Sequence, residues 1–181
     1  AMVAAETGRL GDFTLTVESG PIGGVPASGL NFGCSHFPEA IIDQPSQFDF
    51  YDGGGIDIAV LGAVEVDAQG SVNVTSFAGR FAGVGGFVNI AQSARRLVFC
   101  CTFLAKGQPK FVREIQHVCF HGPTAFARGQ EVLFVTERAV FELTGQGLRL
   151  IEVFSGHDLQ RDILDQMQFR PLIAESLSSC L

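Results

Sequence analysis

The sequence predicts an α/β domain with a mainly parallel sheet flanked by helices, and two observations carry that reading. Ile56 to Val64 and Leu97 to Leu104 are nearly continuous apolar runs, the pattern of strands covered on both faces rather than on one. Between them, the glycine-rich stretch Gly79 to Ile90 precedes a short helix expected over Asn89 to Ala94. A glycine loop joining elements of an α/β sheet is a usual place for a ligand.

From the N-terminus, Phe13 to Val17 alternates apolar and polar residues and reads as a strand that delivers Glu18 to a loop. Gly20, Gly23 and Gly24 follow at once, and glycines beside a carboxylate leave open space for a bulky group to approach the backbone. That geometry suits a nucleophile, although a solvated glutamate at a strand end has the same local pattern. Pro26 to Glu39 is rich in Gly, Ser and Pro and is expected to be irregular. Gly53 to Gly55 breaks any regular element after Tyr51. Beyond the first apolar strand, Val66 to Val72 carries a turn at Ala68 to Gly70 and reads as a hairpin-like excursion.

In the second half, Phe111 to Phe120 and Glu131 to Val135 are expected as strands, and Ala139 to Leu143 pairs with Leu148 to Val153 across Thr144 to Gly147. Asp158 is placed to cap a helix running through Met167, with Leu159, Ile163, Leu164 and Met167 on one face and Pro171 beyond its end. No repeat or linker divides the chain, so one domain over residues 2–181 is expected.

Composition narrows the function classes. A net charge of −7 with 12 scattered basic residues argues against a nucleic-acid groove. No apolar run approaches the roughly 20 residues of a membrane helix, and the N-terminus lacks the pattern of a signal peptide, which reads as cytoplasmic. The five cysteines include the adjacent pair Cys100 and Cys101 and are expected as buried, reduced thiols. Ala1-Met2 looks like a cloning residue ahead of a natural start. Cys34-Ser-His36 and Cys119-Phe-His121 place thiol and imidazole two apart, but zinc ligands are usually spaced more widely, so no metal is expected. Gly83-x-Gly85-Gly86 lacks the second spacing of a dinucleotide fingerprint, which excludes NAD.

Several motifs in order resemble the β half of the family I CoA-transferases, in the acetate/propionate/3-ketoacid branch, where this half is the C-terminal part of the fused enzymes. The resemblance rests on Val17-Glu-Ser-Gly-Pro-Ile-Gly-Gly24, on Ala40 to Gly55 and on Gly83-Val-Gly-Gly-Phe-Val-Asn-Ile90, and it extends to Glu137-Arg138 and Phe169-Arg-Pro171. It implies a fold shared with certain sugar-phosphate isomerases. It also implies transfer of CoA between a short-chain acyl-CoA and a carboxylic acid such as acetate or a 3-ketoacid, by a ping-pong route through a γ-glutamyl-CoA thioester. By the same resemblance, Glu18 is the nucleophile, and Gly85 and Gly86 belong to the oxyanion loop. Gly20, Gly23, Gly24 and Gly83 would let CoA approach.

Coenzyme A is then a substrate and covalent intermediate, with no permanently bound cofactor. An α half, as a separate subunit or as the missing N-terminal part, is the implied partner in an oligomer, and neither nucleic acid nor membrane is one. The alternatives are an acyl-CoA hydrolase, in which water captures the same intermediate, and a non-catalytic β-like subunit or detached domain.

Overall fold

The computed structural model describes residues 6–77 and 79–178. The readings made for Ala1 and for Cys180 fall outside them. The chain divides between Gly55 and Ile56 into two compact units.

The second unit is built on a six-stranded sheet. Its strands are β1 (Ile58–Gly62), β2 (Arg96–Cys100), β3 (Glu131–Val135), β4 (Ala139–Thr144), β5 (Gly147–Val153) and β6 (Leu172–Ser178). They lie side by side in the order of the sequence. β1, β2 and β3 pair parallel, as do β5 and β6, while β3–β4 and β4–β5 are antiparallel. Three of the five pairings are therefore parallel, and the α/β expectation holds.

The register lines up Leu61, Phe99, Phe134, Phe141 and Leu150 across five neighbouring strands. Phe99 and Phe134 stack with ring centroids 5.1 Å apart, and Phe99 meets Phe120 edge-on at 5.1 Å. Phe111 packs against Phe103 and Phe141, each at 4.9 Å. Phe99, Phe103, Phe111, Phe134 and Phe141 are fully buried, and each buried aromatic of this size stabilises by about 3 kcal/mol.

Helix α2 (Phe87–Ser93) follows the second glycine stretch, and helix α3 (Gly122–Ala127) precedes β3. Gln130 joins them to the sheet, because its Nε2 donates to the carbonyls of Ala91 and Ala94 at 2.7 Å each. Arg138, just ahead of β4, lies 5.4 Å over the Phe103 ring and donates from Nη1 to the Asp162 carbonyl at 3.0 Å. This fixes the segment that follows β5 against the core. Asp158 caps that segment as expected, accepting from the Arg161 amide at 2.7 Å. The segment itself is a wide five-residue turn, Leu159–Ile163, followed by a tight one, Leu164–Gln166. Ile163, Leu164 and Met167 are its buried face.

Several expectations are corrected. Ile56 to Val64 is not covered on both faces: β1 spans five residues at the sheet edge, Ala59 faces the core, and Ile58 and Val60 are 51% and 65% exposed. Phe111 to Phe120 is not a strand, because only its ends pair, Phe111 with Val66 and Phe120 with Val72. Buried Phe111, Val112, Ile115 and Phe120 hold it as an irregular cover, so its apolar content reflects packing rather than a ladder. The Val66 hairpin is present as Glu65–Val66 against Val72–Asn73, with Asp67 Oδ1 accepting from the amides of Gln69 and Ser71. β6, beyond Pro171, went unread. Of the expected buried thiols, Cys34 and Cys100 are exposed, and Cys101 and Cys119 are partly buried; all four are free.

The first unit carries helix α1 (Gln44–Phe50). Pro45 stands in its first turn, and Asp43 flanks it, accepting from the Ser46 hydroxyl at 2.6 Å. The chain leaves α1 through a wide turn over Tyr51–Gly55, where Gly54 adopts φ +89°, the left-handed region that glycine enters without a steric penalty. Its described residues also hold two two-residue antiparallel ladders, Pro21–Ile22 with Ala40–Ile41 and Val25–Pro26 with Ser35–His36, and tight turns at Leu10–Asp12 and Gly29–Asn31.

Candidate active site

Glu18 sits on a tight turn closed by the Gly20 amide donating to the Val17 carbonyl at 2.9 Å. The expected strand from Phe13 to Val17 does not form; Thr16 alone makes a bridge, to Ile22. A different frame holds the turn. The Val17 amide donates to the Pro21 carbonyl at 3.0 Å, the Gly23 amide to the Leu15 carbonyl at 2.7 Å, and the Ile42 amide to the Gly20 carbonyl at 3.1 Å. From behind, Tyr51 Oη donates to Thr16 Oγ1 at 2.8 Å and accepts from Gln47 Nε2 at 2.7 Å. Gln47 is fully buried and Tyr51 nearly so. The carboxylate is therefore carried by a loop pinned two residues upstream to α1, with Glu18 itself half-buried and Ser19 exposed. The Ser19 hydroxyl donates to the Gly33 carbonyl.

The glycines beside Glu18 do not leave open space. A Cβ on Gly20 would lie 2.0 Å from the Ile42 carbonyl oxygen, and one on Gly24 would lie 2.2 Å from that of His36. Close packing within this unit, together with φ of +121° and +71°, requires glycine at these two positions. A Cβ on Gly23, at φ +74°, would meet the Glu39 side chain at 2.9 Å rather than main chain. The structure thus brings Glu18, Gly20, Gly23 and Gly24 into one short, crowded turn.

Gly83, Gly85 and Gly86 form a second group, in the other unit. This loop is open: a Cβ on Gly83 or Gly85 would meet nothing within 4 Å, and residues 81–85 are exposed. Its ends are anchored by the Ala82 amide donating to the Thr75 carbonyl at 2.7 Å and the Phe87 amide donating to that of Val84 at 3.2 Å. Among the described residues, the amides of Gly83, Gly85 and Gly86 donate to no backbone carbonyl. Gly86 caps α2, and Phe87, the first residue of that helix, is buried against Phe99 at a centroid distance of 5.9 Å. The loop is thus held at its base and free at its tip.

The sequence reading missed the Gln47–Tyr51–Thr16 chain. Its only signal was polar Gln47 on a short helix whose other face is aromatic. The Cys-x-His pairs do not read as ligands. His121 Nδ1 lies 2.8 Å from Thr124 Oγ1, and Cys119 packs beside Asn73 and Thr75. No group of three or more potential metal ligands gathers among the described residues. Nor is any helix there long and apolar enough to cross a membrane.

No family model matches the chain, whereas individual relatives do. The chain is 44% identical to the acetate CoA-transferase YdiF of Escherichia coli O157:H7 over 97% of its own length and 36% of that protein. It is 43% identical to the caffeate CoA-transferase of Acetobacterium woodii over 98% of itself and 38% of the relative. It also matches one subunit of the 3-oxoadipate CoA-transferase of Pseudomonas putida at 32% identity, over 74% of the chain and 61% of that subunit. The chain therefore spans little more than a third of the two most similar of these relatives.

Among solved structures, the YdiF acyl-CoA transferase in a thioester complex with CoA superposes with a TM-score of 0.90 at 42% identity, over 99% of this chain and 37% of that one. The decarboxylase AibA/AibB matches with a TM-score of 0.80 at 26% identity, over 99% of this chain and 76% of that one. With relatives that include a separate subunit of about this size, and with motif order and fold in agreement, this chain belongs to the family I CoA-transferases, as their β half.

Proposed function

We propose that this chain carries the nucleophile of a CoA-transferase that moves CoA between a short-chain acyl-CoA and a carboxylic acid. Glu18 is the observation that carries the reading: a half-buried carboxylate on a hydrogen-bonded turn, in a chain of this family. A protein carboxylate can hold CoA as a thioester without surrendering its energy to water. The Glu18 carboxylate attacks the acyl-CoA carbonyl, expelling CoA thiolate and leaving a mixed anhydride. The thiolate then attacks the glutamyl carbonyl, which releases the acid and forms γ-glutamyl-CoA. An acceptor carboxylate runs the sequence backwards and leaves as the new acyl-CoA.

Each tetrahedral species carries an oxyanion, and the free amides of Gly85 and Gly86 are suited to it, each such donor contributing about 3 kcal/mol. Gly83, on the open loop, is assigned to the approach of CoA, whereas Gly20, Gly23 and Gly24 are packed within their own unit and shape the Glu18 turn. CoA is a substrate and transient adduct in this scheme, not a resident cofactor.

The relatives' greater length supports a partner. We infer that both units act together as one β-type domain over residues 2–181, and that activity needs an α half, as a separate subunit or as a further part of the same polypeptide, in a cytoplasmic oligomer. The AibA/AibB match favours a second reading, in which the fold serves a reaction other than transfer, since fold alone does not set chemistry.

Incubation with acyl-CoA and acetate, alone and with a candidate α half, separates the readings by product. Acetyl-CoA formation only with the α half supports transfer, free acid without acetate dependence indicates hydrolysis, and no turnover in either mixture removes the enzyme assignment. Glu18→Gln, which keeps the shape and loses the nucleophile, should abolish transfer, with mass spectrometry finding no CoA adduct. An adduct on the Gln variant would assign the nucleophile elsewhere.

A further inference from the structure

A cavity of about 90 Å³ opens between α2 and α3 in the second unit, and no residue of the glycine loop lines it. Phe120 and Ala125, both buried, form its apolar floor. Gln92, from the last turn of α2, His121, from the segment ahead of α3, and Thr124 and Arg128, from α3 and its end, supply the polar wall. Among the described residues no carboxylate lines it, although the chain holds 19 acidic residues and a net charge of −7.

The walls are fixed by bonds that do not involve the cavity. Phe120 exchanges backbone hydrogen bonds with Val72, at 2.9 and 3.1 Å. The Arg128 amide donates to the carbonyls of Thr124 and Ala125, and Gln130 bonds to the end of α2. Seven arginine ion pairs occur among the described residues. Arg128 is in none of them, and this exposed residue brings a positive charge to the mouth of the cavity that it lines.

The histidine–threonine pair adds a donor whichever tautomer it adopts. His121 Nδ1 lies 2.8 Å from Thr124 Oγ1. If the hydroxyl donates to Nδ1, the ring proton sits on Nε2; if Nδ1–H donates, the hydroxyl proton is released for another acceptor. One proton donor is left over in either case. With the Gln92 amide and the Arg128 fork, the wall offers several donors and a positive charge, which suit the larger number of acceptor oxygens on a phosphate. At about 90 Å³ the cavity is well below the roughly 300–1,000 Å³ of a pocket that takes a nucleotide or an acyl chain.

We propose that this cavity binds a phosphate group, held by Arg128, the His121–Thr124 pair and Gln92 over the apolar floor of Phe120 and Ala125. Two sources have this chemistry: free inorganic phosphate and a phosphate of CoA. The site does not depend on the transfer reading, because the first source needs no CoA.

The test is calorimetric titration of the purified chain with inorganic phosphate against chloride at matched ionic strength. Saturable one-site binding is expected, weakened about tenfold in Arg128→Gln by loss of the charged donor and unaffected in Arg149→Gln, whose arginine pairs with Glu142 on the sheet. Circular dichroism establishes that each variant is folded, and Gln92→Ala, a change at an exposed residue, supplies a second weakened variant. Displacement of phosphate by CoA but not by CoA lacking its 3′-phosphate would name the cofactor as the source. Displacement by neither would name free phosphate, and either result supports the site. Phosphate binding no stronger than chloride, or unchanged in both Arg128→Gln and Gln92→Ala, overturns it.

Discussion

Tyr51→Phe should destabilise the first unit by more than the loss of one hydrogen bond, because its hydroxyl serves two neighbours, the fully buried Gln47 and the partly buried Thr16. It donates to Thr16 at 2.8 Å and is the acceptor for Gln47 Nε2 at 2.7 Å. Gln47 is fully buried, and its Oε1 already lacks a partner among the described residues. Deleting the hydroxyl leaves the whole amide of Gln47 unsatisfied, and a buried polar group stranded in this way costs about 1–3 kcal/mol. A loss near 2 kcal/mol lowers the melting temperature by roughly 4–8 °C for a chain of this size. The companion Tyr51→Phe/Gln47→Leu removes donor and acceptor together and should recover most of that loss, since replacing both partners with apolar groups is nearly neutral. Thermal unfolding followed by far-UV circular dichroism gives the melting temperatures. Amide hydrogen exchange over residues 15–23 reports whether the Glu18 turn loosens in the single variant alone. A double variant that is less stable than Tyr51→Phe would refute the reasoning, because the cost would then lie in lost packing.

Three further outcomes follow from the same geometry. Gly20→Ala should lose about 3 kcal/mol or more in urea unfolding, because its methyl meets the Ile42 carbonyl. Gly85→Ala, at φ +54° with open space around it, should lose only about 1–2 kcal/mol; equal losses would contradict the crowding argument. Burial pushes the Cys101 thiol up to about 11, with Lys110 partly opposing the shift. Its labelling by a thiol reagent should therefore stay slow near neutral pH and accelerate towards pH 11, after the exposed Cys34 has reacted; labelling of Cys101 first at pH 7 would contradict this. Hydrogen bonds from the Arg161 guanidinium and the Asp158 amide hold the Asp162 carboxyl well below its ordinary 3.8. A depressed carboxylate contributes stability that is present above the unfolded value and lost as pH falls towards the folded one. The stability gap between wild type and Asp162→Asn should accordingly narrow below about pH 4, and a gap independent of pH would count against the pairing.

Elements whose sequence pattern matches their own local requirement were legible. β3 and the β4–β5 hairpin came out within a residue of their expected ends, because alternation and a Gly-x-Gly turn specify them without help from distant chain. Asp158 was readable as a cap for the same reason. The Phe13 to Val17 alternation failed because no neighbouring strand offers it a ladder, so the Glu18 turn is held by side chains and isolated bonds instead. Phe111 to Phe120 failed for the opposite reason: its apolar residues fill the core from an irregular cover, which periodicity alone cannot distinguish from a strand. In the candidate site, the two glycine groups were visible as composition. That Gly20 and Gly24 are crowded while Gly83 and Gly85 are open could not be read, since it depends on Ile42 and His36 carbonyls supplied by other parts of the loop.

The chain has no tryptophan and a single tyrosine, and that tyrosine is Tyr51, buried at the end of α1. Its ultraviolet emission therefore arises from the first unit alone, while the phenylalanine-rich sheet of the second is optically quiet at the same wavelengths. A tryptophan placed in the second unit, at Phe126 of α3 for example, would give each unit its own colour. The two emissions, followed separately, would then track whether the loop carrying Glu18 and the second unit lose their structure together or one after the other.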